Sequence, residues 1–217
     1  MFLKEVGKMN NSQKLILFDF DGVLLDTLQA GREKYSSILT QLGRHPLTDE
    51  EFEYMKRSSP SELLSHCLTD PELVKRGIEL REKGEFSQTT DIAVFQGVHE
   101  TLKNLSQDYV LGVVTSRDET VFDLLDQHNL SQYFKGGVVC NSDYSKDEFK
   151  PHPKPLQIAI QNNSVSKQFE EVVYVGDAET DYLAAQAANV SFVGFGDVGQ
   201  INTTCMYELE NLVRGEL

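Results

Sequence analysis

Five short runs of apolar and β-branched residues punctuate the chain: Leu15 to Phe20, Val110 to Thr115, Gly137 to Cys140, Val172 to Gly176 and Ser191 to Phe195. Runs of this length, bounded by polar and turn-forming residues, predict buried strands. Between most of them lie segments with helical spacing, among them Val98 to Leu105, Val121 to His128, Leu156 to Gln161 and Tyr182 to Ala188. Strand and helix alternate, which is the pattern of parallel strands joined by helical crossovers. The expected fold is therefore α/β, an open, doubly wound parallel sheet covered on both faces.

The interval from Asp26 to about Phe95 breaks this rhythm. It contains no strand pattern but several helix starts. Leu28, Tyr35, Ile38, Leu39 and Leu42 form an apolar stripe at helical spacing, and Gly43 follows as a terminator. Thr48 with Glu51, and Ser59 with Pro60 and Glu62, fit the capping-box pattern, while Asp70 before Pro71 fits a cap followed by proline at the first helical position. An all-helical domain over residues 28–92 is expected to interrupt an α/β domain made of residues 1–27 and 93–217. Inserted after the first strand, such a unit would stand over the sheet's carboxyl edge, where ligands of open α/β sheets bind.

Composition narrows the function. With 40% hydrophobic and 25% charged residues in 217, the chain has the makeup of a folded globular protein with room for a core and a smaller second domain. A formal charge of −14 disfavours nucleic acid and anionic membranes as partners, because both need a basic face. Cys67, Cys140 and Cys205 are odd in number and widely spaced, so they read as reduced thiols. The opening MFLKEVGKMNNSQK has no apolar stretch of signal-peptide length, and no run elsewhere reaches membrane-spanning length, so a cytoplasmic protein is expected. Met9 lies inside that opening, whose first residues are expected to form a poorly ordered leader.

The chemistry gathers at strand ends. LILF runs into DFDG, so Asp19 and Asp21 lie two apart on one face, and Gly22 permits the sharp turn that exposes them. The second strand ends in Thr115 and Ser116, followed by Arg117, and the two hydroxyls could bind a phosphate oxygen or simply cap the next helix. The fourth ends in Asp177, with Asp181 four residues on. Three of five strands thus finish in hydroxyl or carboxylate groups at one edge, where loop chemistry rather than core packing is expected. Lys150 opens KPHPKP, whose prolines present it from a stiff loop. Spacing alone does not separate it from Lys154.

In order and spacing, DFDGVLLDT, VVTSR, KPHPKP and VGDAETD resemble the four motifs of the haloacid dehalogenase-like hydrolase superfamily, in its phosphatase branch. The resemblance runs from about Leu15 to Phe195 and implies a Rossmann-like core with the smallest type of helical cap. It implies hydrolysis of a small phosphorylated metabolite with Mg²⁺ as cofactor. Asp19 would be the nucleophile, and Asp21 the acid and base. Magnesium would be held by Asp19, the backbone carbonyl of Asp21, and Asp177. Lys150, the lysine followed by proline, another residue and proline, would neutralise the nucleophile and the transferring group. Thr115 and Ser116 would bind the phosphoryl oxygens, with Arg117 on the substrate side, and Asp181 would orient Lys150 or water on the metal. Lys56 and Arg57 in the cap loop are further candidates for gripping the substrate.

The same comparison sets two departures, Gln96 where proline is common and Asn189 where glycine often ends the helix. The second is mild, since Asn tolerates the left-handed conformation. A dehalogenase would lack the acid at Asp21. A sugar phosphomutase would share the Asp19–Asp21 pair, but the cap position where similar mutases carry a phosphate-gripping arginine is Pro60 here, which favours hydrolysis. A protein that merely bound metal or a partner would have no chemical reason to keep both acids beside a metal ligand. Neither the particular substrate nor the oligomeric state follows from these residues.

Overall fold

Leu15, Ile16, Leu17 and Phe18 of β1 (Gln13–Phe18) are fully buried, which fits a run with no polar side. A strand apolar on both faces belongs in the middle of a parallel sheet, and β1 is flanked by β2 (Val110–Val114) and β4 (Phe169–Gly176), both parallel to it. β3 (Val138–Val139) lies beyond β2, while β5 (Ser191–Phe195) and β6 (Asn202–Thr203) continue beyond β4. The order β3-β2-β1-β4-β5-β6, parallel throughout, is that of a doubly wound α/β fold. This computed structural model describes residues 13–56, 58–83, 92–164 and 169–215. Arg57 and the opening around Met9 lie outside the described residues.

The chain divides into two compact units, Leu24–Phe95 and the remainder. Inside the first of these, a short antiparallel bridge joins Leu25 to Val94, and Asp26 N donates to Ala93 O at 2.8 Å. Among the described residues four helices follow: α1 (Thr27–Gln41), α2 (Asp49–Met55), α3 (Pro60–Cys67) and α4 (Pro71–Glu82). Gly43, at φ +79°, ends the first. The capping boxes form in full. Glu51 N donates to Thr48 Oγ1 (3.2 Å) and Thr48 N to Glu51 Oε2 (2.9 Å), while Ser59 and Glu62 repeat the exchange at 3.3 and 2.7 Å. Asp70 accepts from Glu72 N at 2.9 Å. Ile38, Leu39, Leu47, Leu63, Leu64 and Leu80 form the core of this unit.

In the α/β unit, α5 (Val98–Asp108) and α6 (Thr120–Gln127) flank β2, α7 (Lys154–Ser164) and α8 (Glu179–Ala188) flank β4, and α9 (Met206–Arg214) closes the chain's described part. Leu156 and Ala159 of α7, with Ala184 and Ala185 of α8, pack over Leu15, Leu17, Val114 and Tyr174 of the sheet. Helix α9 packs on α5, β5 and β6, and Thr101 Oγ1 donates to Met206 O at 3.0 Å. Asn189 ends α8 in the left-handed conformation, φ 56° and ψ 46°. Among the described residues, no helix is long and apolar enough to cross a membrane.

Candidate active site

The sheet order reverses between β1 and β4, and Asp19 and Asp177 emerge from the carboxyl ends of these two neighbours. Asp19 N donates to Val175 O at 2.7 Å, so the ladder fixes the backbone up to the carboxylate itself. Gly22 then turns at φ +78°, and a Cβ on it would lie 2.0 Å from Asp177 Oδ2. Glycine is required there by both conformation and space, because the turn brings its backbone against the second strand's carboxylate. Asp21, partly exposed, accepts from Arg117 in a fork: Nε at 3.0 Å and Nη2 at 2.5 Å. Arg117, expected on the substrate side, thus makes these contacts within the motif set.

Lys150 converges on the same place. Its side chain is 5% exposed, and Nζ donates to Asp19 Oδ1 (3.0 Å), Asp181 Oδ1 (2.6 Å) and the Tyr174 hydroxyl (3.0 Å). Asp181 is held in turn by Ala178 N, which donates to its Oδ2 at 3.0 Å. Gly176 leaves the space, since a Cβ there would lie 2.4 Å from the Cβ of Asp181. Carboxylate oxygens of Asp19, Asp177 and Asp181 all lie within 4.8 Å of one another.

Burial raises the Asp19 carboxyl well above its ordinary range. Lys150 opposes that rise, while Asp181, Asp177 and Asp21 add to it. Asp177 is pushed up to about 7, first by burial and then by Asp181. Burial alone would lower the Lys150 pKa, yet Asp181 and Asp19 outweigh it and hold the ammonium well above its usual value. The Tyr174 hydroxyl is raised by burial and then by Asp181, so it stays protonated. One lysine shared among crowded acids leaves a site short of positive charge. Hard oxygen donors this close suit a small divalent cation such as Mg²⁺, and the excess of carboxylate gives that cation a reason to bind.

On the neighbouring strand, Thr115 is buried, its N donating to Val139 O (3.0 Å) and its Oγ1 accepting from Arg117 N (3.1 Å). The Tyr144 hydroxyl donates to Thr115 O (3.0 Å), and Asn141 Nδ2 to Ser116 O (3.2 Å), so the turn carrying the exposed Ser116 is tied from outside. Asp19, Asp21, Thr115, Ser116, Arg117, Lys150, Asp177 and Asp181 all belong to the α/β unit. Lys56 belongs to the helical one, where it pairs with Glu53 at 2.6 Å and lies 5.0 Å from the Phe52 ring centre. Tyr174 is the contributor that strand patterning hides: it reads as one more buried residue of an apolar run. The available signal is chemical, for a buried phenol in an aliphatic strand needs a partner for its hydroxyl.

Comparison with known proteins agrees with this geometry. The family model described as haloacid dehalogenase-like hydrolase matches residues 16–195. Phosphoglycolate phosphatase of Pseudomonas syringae pv. tomato is 30% identical over 195 residues, covering 83% of this chain and 68% of that protein. Its counterpart in Photobacterium profundum is 29% identical over 194 residues, covering 83% and 82%. Among solved structures, a HAD-superfamily hydrolase of subfamily IA from Geobacter sulfurreducens superposes with a TM-score of 0.75 at 26% identity, over 93% of this chain and 96% of that one. With a family model spanning most of its length and the motif residues gathered at one sheet edge, the chain belongs to the haloacid dehalogenase-like hydrolases.

Proposed function

We propose that this hydrolase cleaves small phosphate monoesters, phosphoglycolate first among them, through a covalent phosphate on Asp19. The observation that carries the reading is the Lys150 bridge: a buried carboxylate at a sheet switch point, 3.0 Å from a permanent ammonium and crowded by two further acids. Asp19 attacks phosphorus in line, forming a carboxylate–phosphorus bond as the ester oxygen departs. Asp21 gives that oxygen its proton, then removes one from the water that hydrolyses the aspartyl phosphate, which restores Asp19 and releases phosphate. In this structure both Asp21 oxygens accept from Arg117, and Asp21 takes its acid role on leaving this fork for the ester oxygen. Lys150 stabilises charge on the phosphoryl oxygens, and Thr115 with the Ser116 amide supplies donors from β2. Magnesium would be held by Asp19, the Asp21 carbonyl and Asp177, where it would supply neutralising charge. Phosphate monoesters are so inert that accelerations up to the order of 10²¹-fold are called for. The relatives named phosphoglycolate phosphatase support the choice of substrate.

The test is phosphate release from 2-phosphoglycolate, sugar phosphates and an aryl phosphate, with magnesium and after chelation. Magnesium-dependent release from at least one is expected. No release from any of them, with metal present, ends the reading.

A further inference from the structure

We infer that Tyr174 is a positioning residue for phosphoryl transfer, fixing the Lys150 ammonium against the nucleophile. The inference rests on the function proposed above and assigns a role to a residue outside the four motif positions. An ammonium has three N–H bonds and no lone pair. In this site each is spoken for, by Asp19, Asp181 and Tyr174. The Tyr174 hydroxyl has one proton, which goes to Asp181 Oδ1 at 2.9 Å, with Val114 O farther off at 3.3 Å. Its lone pair is then available to Lys150. Lys150, Tyr174 and Asp181 Oδ1 close a ring of hydrogen bonds, anchored by Ala178 N on the other Asp181 oxygen.

This ring answers a problem posed by lysine itself. Its four-carbon stem is flexible, and a point charge that wanders cannot be preorganised. Tyr174 has no such freedom. It is fully buried on β4, registered between Leu17 of β1 and Phe192 of β5, and its ring meets Phe192 edge-on with centres 6.2 Å apart. The sheet therefore sets the hydroxyl's place, and the hydroxyl helps set the ammonium's. Two of three N–H bonds hold Lys150 in position, and the third keeps its positive charge on the Asp19 carboxylate, where the phosphoryl group arrives. A displacement of about 1 Å in such a group can cost on the order of 10²-fold in rate.

The experiment compares wild type, Tyr174→Phe, Lys150→Ala and the double variant on whichever substrate the unaltered enzyme hydrolyses. Tyr174→Phe is expected to lower kcat about tenfold with KM changed less than about twofold, and to add little in the Lys150→Ala background. A kcat within about twofold of wild type, or equal losses in both backgrounds, overturns the inference while leaving the proposed function intact. Inactivity of wild type on every substrate would instead remove the function beneath it. Should Tyr174→Phe not fold, the unaltered protein still decides. The Lys150 ammonium, fully bonded and shielded, is expected to give a slowly exchanging ¹⁵N signal that free lysines lack, with a through-space contact to Tyr174, and absence of that signal overturns the inference.

Discussion

Glu51 of the helical unit and Asp19 of the α/β unit are both buried carboxylates, and they are treated in opposite ways. Glu51 of the helical unit sits in a capping box with Thr48, 3.3 Å from Arg44 and 3.9 Å from His45. Burial pushes its pKa up, but the Thr48 bonds, His45 and Cys67 together bring it below the usual value. Asp19 of the α/β unit has one cation and three acidic neighbours, and its pKa is raised. A carboxylate that serves the fold is given donors until its charge is welcome. One that serves chemistry is left crowded, and that debt is settled by what binds there. Neighbouring charge, added to the stronger burial penalty at Asp19, separates the functional acid from the structural one.

The largest expected effect sharpens that contrast. Asp19→Asn should lower phosphate release by at least about 10³-fold, by removing the nucleophile. In metal-free buffer it should also raise Tm, because the surroundings disfavour the Asp19 charge they now lose. A fall in Tm would break the comparison. Next comes Gly22→Ala. Its Cβ would collide with Asp177 and force a left-handed alanine, so activity should drop on the order of 10²-fold, with a raised magnesium requirement. Activity within about twofold of wild type would show that the close approach is incidental.

Glu51→Ala should act on stability alone, costing about 2 kcal/mol in urea unfolding by leaving the Thr48 cap and Arg44 without their acceptor. The sign of its pH dependence follows from the lowered pKa. Glu51 binds fewer protons folded than unfolded, so its contribution is complete above its ordinary 4.5 and fades as pH falls through the depressed folded value. Wild type and variant should converge in acid, and a gap that widened there would contradict the assignment. Smallest is Lys56→Ala. Its partner Glu53 is exposed and three residues earlier, Lys56 standing just past the end of α2, so the change should stay within about 0.5 kcal/mol.

Much of the helical unit was legible because its signals are local. Thr48, Ser59 and Asp70 each cap a helix whose residues adjoin them, and all three caps form. The same holds for Gly43 and Asn189, whose left-handed conformations follow from what glycine and asparagine tolerate. Two elements at the end of the chain were not among the segments read from the pattern. β6 is two residues long, too short for any period, whereas α9 does carry a local mark, Met206, Leu209 and Val213 at helical spacing before a left-handed Gly215, and was legible in the same terms as the helices above. In the site, motif order pointed to Asp19, Asp21, Thr115, Lys150 and Asp177, whereas strand patterning did not mark Tyr174, whose only signal is its phenol.

The sequence by itself determined which residues could do chemistry and that they would fall at strand ends, since period and punctuation are properties of neighbours along the chain. It also set the family, through four motifs in order. Only the tertiary structure decided partners: that the Lys150 ammonium is shared between Asp19, 131 positions away, and Asp181, that Arg117 turns to Asp21, and that a strand tyrosine closes the ring around the ammonium. The reason is that a hydrogen bond depends on distance and direction in space. Those are set by sheet register and packing, which no local pattern records.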